Sequence, residues 1–130
     1  LADGCDVMLY LLRHQDGTVE PASSGTLIDP QGRTRHLKLA DFTVKATGTW
    51  ISPHTGAKYP AGWEITIPDP GYRLTLAPTV SDQEIRAPAP AQVTYWEGEV
   101  KIEGTKNGAP VQGQGYAELT GYAGGLGARF

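Results

Sequence analysis

The sequence is short of the residues on which several common chemistries depend. It has one cysteine, Cys5, so no disulfide can form within the chain, and no CxxC pair or His/Cys cluster at ligand spacing marks a structural zinc. His14, His36 and His54 stand far apart, and neither a metal nor a cofactor is expected. Cys5 also has no His or Lys beside it in sequence to activate a thiolate. Neither GxSxG nor HExxH occurs, which removes two familiar signatures of hydrolytic enzymes. Basic residues are in deficit, 11 Lys and Arg against 14 Asp and Glu, and no basic stripe accompanies the aromatics, so no nucleic acid is expected as a partner. No apolar run reaches about 18 residues, the length from which a helix can cross a bilayer. The run Leu1-Ala2-Asp3-Gly4-Cys5 has the outline of a lipoprotein cleavage box, but Asp3 stands where a small or apolar residue is needed, and it is not read as one.

What the chain has in quantity is turns. Its 17 glycines and 10 prolines are scattered between short apolar runs, the texture of many strands in one domain. The strongest signal is Asn107-Gly108, two residues that tolerate positive φ between two alternating runs. Counting outward from Lys106 opposite Ala109 pairs Ile102 with Gly113, Val100 with Gly115, Glu97 with Glu118 and Trp96 with Leu119. Trp96, Val100, Ile102, Val111 and Leu119 then share a core face. Tyr95, Glu97, Glu99, Tyr116, Glu118 and Thr120 share the other.

Earlier in the chain, Pro68-Asp69-Pro70-Gly71 joins Trp63–Ile67 to Tyr72–Leu76, and pairing Ile67 with Tyr72 makes one face uniformly apolar. From Phe42 to Ile51 the pattern alternates as one half-buried strand. Ser52 to Gly62 reads as the longest irregular loop of the first half, with His54 and Tyr59 as loop anchors. Pro78 to Gln92 reads as an irregular connection carrying the acidic Asp82-Gln83-Glu84. Asp3-Gly4 is a hairpin turn with almost no strand before it, which predicts a fragment of a longer protein. The sheet edge left open there is a surface through which a homodimer could form. The expected architecture is all-β: an antiparallel up-and-down barrel of the lipocalin type with about eight strands, or else a two-sheet sandwich. Residues 1–123 form the domain and 124–130 a glycine-rich tail.

Five segments carry a resemblance: Val7–Arg13, Ser23–Ile28, Thr55–Trp63, Tyr95-Trp96-Glu97-Gly98 and Gly115–Tyr122. Together they resemble the second half of the AttH/CrtC-like proteins, a family that includes carotenoid 1,2-hydratases and proteins described as secreted hydrolases. The resemblance implies two lipocalin-like domains in tandem, with this chain the C-terminal one and a missing N-terminal domain as its partner. It further suggests a secreted, periplasmic or membrane-associated location, and a possible hydratase needing no cofactor.

Hydration of an unactivated alkene needs a strong general acid, faces that stabilise a tertiary cation, and a delivered water. Glu97 and Glu118 are the candidate catalytic pair, one as proton donor and the other positioning water. Tyr95, Trp96, Tyr116 and Tyr122 are the candidate surround, and Trp50 and Trp63 candidate lining for an apolar ligand. Each has a plainer alternative: the glutamates as hydrated surface residues, the indoles as core filling. The leading expectation is a domain that binds an apolar isoprenoid or lipid-like small molecule. Its alternatives are the hydratase and a structural support for an active first domain.

Overall fold

A computed structural model describes residues 1–124; residues 125–130, most of the glycine-rich tail, lie outside the described residues. The described chain is antiparallel β throughout, apart from a 3-10 turn at Leu39–Asp41. Its strands are β1 (Asp6–Tyr10), β2 (Ser24–Ile28), β3 (Thr34–Lys38), β4 (Thr43–Ala46), β5 (Thr49–Ile51), β6 (Lys58–Pro60), β7 (Trp63–Ile67), β8 (Tyr72–Pro78), β9 (Glu84–Arg86), β10 (Thr94–Lys106) and β11 (Ala109–Leu119). They form a curled, open sheet in the order β11-β10-β8-β7-β4, with β9 also paired to β10, and two smaller sheets, β1-β2-β3 and β5-β6. Among the described residues no helix is long and apolar enough to cross a membrane.

The two hairpins with the clearest turn chemistry form in the registers their patterns predict. Asn107 and Gly108 take φ of 49° and 83°, and the ladder runs without a bulge from Lys106↔Ala109 to Trp96↔Leu119. Ile67↔Tyr72, Ile65↔Leu74 and Trp63↔Leu76 pair across the second turn. The inward faces of these four strands supply most of the core: Trp63, Ile67, Tyr72, Leu74, Trp96, Val100, Ile102 and Val111 are buried. Leu27 and Leu37 extend the same core under the β1-β2-β3 sheet.

Elsewhere the expectation needs correcting. In place of a closed barrel of about eight strands, the described residues form eleven strands in three sheets, with β11 and β4 at the ends of the main ladder. Phe42 to Ile51 is not one strand, because the chain bends at Thr47-Gly48 and passes from the β7 ladder to the β6 ladder. Gly48 is needed there: a Cβ would lie 2.6 Å from the carbonyl oxygen of Ala61. Opposite it, Gly62 takes φ +120°, so both arms of this long hairpin fold over together. The expected loop Ser52 to Gly62 contains β6, and the expected irregular stretch Pro78 to Gln92 contains β9.

Candidate functional site

Three polar clusters lie around this core. The first is on the outward face of the β10–β11 hairpin. Glu97 and Glu118 are directly opposed, with Tyr95 and Tyr116 on the same face. Glu118 is exposed, Glu97 half-buried, and Tyr116 is 68% exposed. A hydrogen bond to the Glu97 carboxylate raises the pKa of the Tyr95 phenol. Partial burial raises that of Tyr116, and the nearby Glu97 charge adds to it. Phenols so placed stay protonated beside the two carboxyls.

Trp96 does not belong to this group. It points to the opposite face, is buried, and donates its Nε1–H to the carbonyl of Ser81 at 2.9 Å. Trp63 packs against it, ring centroids 6.3 Å apart at 57°. Trp96 therefore cannot border a cation held over Glu97, and both indoles fill the core of this domain. Trp50, half-buried, stacks on Tyr59 at 5.9 Å, and Tyr59 meets Tyr122 at 5.6 Å. Tyr122, 40% exposed, thus closes an aromatic row separate from the acidic face.

The second cluster joins the β5–β6 hairpin to β9. Glu84 Oε2 accepts from Ser52 Oγ at 2.6 Å, while Oε1 accepts from Thr55 Oγ1 at 2.7 Å and from the Tyr59 hydroxyl at 3.0 Å. Beside it, His54 Nε2 and Asp82 Oδ2 are 2.8 Å apart. Burial pushes the Glu84 carboxyl up, but the bonds from Ser52, Thr55 and Tyr59 prevail and hold it below the usual carboxylate range. Tyr59, buried and bonded to that carboxylate, is pushed up to about 12. A carboxylate so saturated is a tether and a poor proton donor. His54 and Tyr59 anchor the hairpin by gripping Asp82 and Glu84, partners that only the acidic run Asp82-Gln83-Glu84 hints at in the sequence.

Asp3, Tyr72 and Lys106 make the third cluster, at the closed end of the β10–β11 hairpin. Asp3 Oδ2 accepts from the Tyr72 hydroxyl at 2.5 Å and from Lys106 Nζ at 3.0 Å. Nζ also lies 3.6 Å from Sγ of buried Cys5, a cation that the residues flanking Cys5 in sequence do not reveal. A hollow of about 250 Å³ between Arg35, His36, Ala40, Asp41, Pro68 and Asp69 contains none of the candidate site residues.

Fold and site thus define an antiparallel β domain whose core phenols Tyr59 and Tyr72 bond acids at its margin, with a further acid–phenol group on the outward face of the β10–β11 hairpin. The AttH-like family model matches residues 1–122, and the chain belongs to that family. A crystal structure of a candidate AttH from Nitrosomonas europaea matches with a TM-score of 0.78 at 32% identity, covering 92% of this chain and 36% of that one. The crystal structure of kievitone hydratase from Nectria haematococca matches with a TM-score of 0.71 at 23% identity, covering 95% and 36%. At that identity the second likeness shows the fold alone. In both cases the chain spans little more than a third of its relative's length. No curated protein matches the chain.

Proposed function

We propose that this chain is the C-terminal β domain of a hydratase-type protein, which adds water to a C=C bond of an apolar small molecule lying over the outward face of the β10–β11 hairpin. The observation that carries this is the opposition of Glu97 and Glu118 between two phenols. Glu97, the more buried carboxyl, is the proton donor. Glu118 orients the water and takes the proton the water sheds on bonding to the cationic carbon. Glu97 regains a proton from solvent once product leaves, and the faces of Tyr95 and Tyr116 offset the positive charge that develops on carbon. A carboxyl keeps its proton near neutrality only when apolar surface covers it. This domain leaves the face open, so the cover is the remainder of a longer protein, a lipocalin-like N-terminal domain. That a hydratase shares the fold supports the reading, and AttH-like membership supports a secreted, periplasmic or membrane-associated location.

A second reading, binding of an isoprenoid or lipid-like molecule without chemistry, is favoured by the row Trp50–Tyr59–Tyr122, whose outer members are partly exposed. The two separate in the protein of natural length supplied with an acyclic carotene, followed by product analysis and native mass spectrometry. Glu97→Gln is expected to lower hydration by about 100-fold or more while ligand is retained. Undiminished hydration in both Glu97→Gln and Glu118→Gln would remove the assignment; retention of carotene with no hydration by the unaltered protein would leave only binding.

A further inference from the structure

We propose that Gln83 is the positioning residue for Glu97, a role that rests on the reading of Glu97 as proton donor. The β10 strand changes partner beside that residue. From Val100 to Lys106 it pairs with β8, and from Thr94 to Trp96 with β9. Between these ladders, over residues 97–99, Gln83 takes the place of a strand. Its carbonyl accepts the Glu97 N–H at 3.1 Å. Its side-chain Oε1 accepts the Glu99 N–H at 3.0 Å, and its Nε2 donates to the carbonyls of Glu99 at 3.3 Å and Val80 at 2.9 Å. The Thr79 N–H adds a bond to the Glu99 carbonyl at 3.1 Å.

Gly98 makes this clasp possible. A Cβ at that position would lie 2.0 Å from Cδ and Oε1 of Gln83, so the carboxamide occupies the space where a side chain would stand. Because alternate residues of a strand face opposite ways, the clasp grips from the core side while Glu97 projects outward. Gln83 is itself held on both flanks, since Asp82 bonds His54 and Glu84 bonds Ser52, Thr55 and Tyr59. Without the carboxamide, the Glu99 N–H loses its acceptor at the gap while its carbonyl keeps the Thr79 N–H, and the backbone that aims Glu97 loosens. A reacting group displaced by about 1 Å can cost on the order of 100-fold in rate.

The test uses the protein of natural length, an acyclic carotene, and Gln83→Met, which preserves side-chain length without the hydrogen bonds. Expected are an unchanged KM, a kcat lower by about tenfold or more, and faster amide exchange at Glu99. Gly98→Ala, which drives the carboxamide out from the other side, is expected to reproduce the kcat loss and decides the matter if Gln83→Met does not fold. Wild-type kcat in either folded variant, with Glu97→Gln inactive, overturns the positioning role and leaves the proton donor in place. Full activity in Glu97→Gln overturns both.

Discussion

Removing the Glu84 carboxylate is the most direct test of how the β5–β6 hairpin is held. A two-stranded hairpin is marginal on its own in water, and this one is fastened to β9 by the Glu84 carboxylate, which accepts from Ser52, Thr55 and Tyr59, with the His54–Asp82 pair beside it. Ser52 and Tyr59 are 2% and 1% exposed, so in Glu84→Ala neither hydroxyl regains water unless the hairpin opens. Each buried donor left without an acceptor costs about 1–3 kcal/mol. With a smaller loss at Thr55, the expected destabilisation is about 3–6 kcal/mol, a large part of the roughly 5–15 kcal/mol that holds a domain together. At about 3–5 °C per kcal/mol for a chain of this size, Tm should fall by at least about 10 °C.

Urea and thermal unfolding followed by tryptophan fluorescence suit the measurement, because Trp50 stacks on Tyr59. Glu84→Ala and Tyr59→Phe should be strongly non-additive in a double-mutant cycle, since they remove the two ends of one bond. The pH dependence has a definite sign. The folded carboxyl lies below its ordinary value, so its stabilisation is complete above that value and is lost as pH falls through the folded pKa. Wild type should therefore lose more stability on acidification than Glu84→Ala does. A cost below about 1 kcal/mol, or additivity with Tyr59→Phe, would refute the tether.

Two further outcomes follow from other parts of the fold. Burial raises the Asp3 carboxyl, but hydrogen bonds from Tyr72, Lys106 and the Cys5 amide outweigh it and lower the pKa from 3.8 to about 2. This contributes about 2 kcal/mol of stability above the unfolded value, lost as pH falls toward the folded one; Asp3→Asn should flatten that acid limb in urea titrations, and parallel curves for the two proteins would exclude the contribution. Gly104→Ala should destabilise by at least about 1–3 kcal/mol, because its Cβ would lie 2.1 Å from the backbone oxygen of Arg73; a calorimetric Tm equal to wild type would show that the β8–β10 ladder can yield there.

The parts of the fold legible in the sequence are those whose determinants are local. Asn107-Gly108 sets a turn by its own φ preferences, and period-two alternation then assigns every residue from Trp96 to Leu119 to a face. The Pro68–Gly71 hairpin is readable for the same reason. A three-residue strand such as β6 or β9 is too short for alternation to register, and its position is set by contacts distant in sequence. Tyr59 reaches Glu84 across 25 positions and Lys106 reaches Cys5 across 101. Gly48 and Gly98 illustrate a further limit. Both read as ordinary strand glycines, yet one admits the Ala61 carbonyl and the other the Gln83 carboxamide, and a close approach from elsewhere in the chain leaves no local pattern.

The same distinction governs the acidic pair. Register alone establishes that Glu97 and Glu118 meet, but two carboxylates directly opposed weaken a sheet unless something relieves them. Within this domain the face is open to solvent, Glu118 and Tyr116 being exposed, so hydration can relieve the pair. Water that answers the repulsion also removes the low-polarity surroundings that a neutral proton donor needs. The reverse side offers no substitute, because Trp63 and Trp96 pack together there in the core. A proton donor on this hairpin therefore requires a substrate pressed between the sheet and another surface. Gln83 would then have a specific use. It fixes the strand where the two ladders part, so that Glu97 is already aimed when that second surface closes over it.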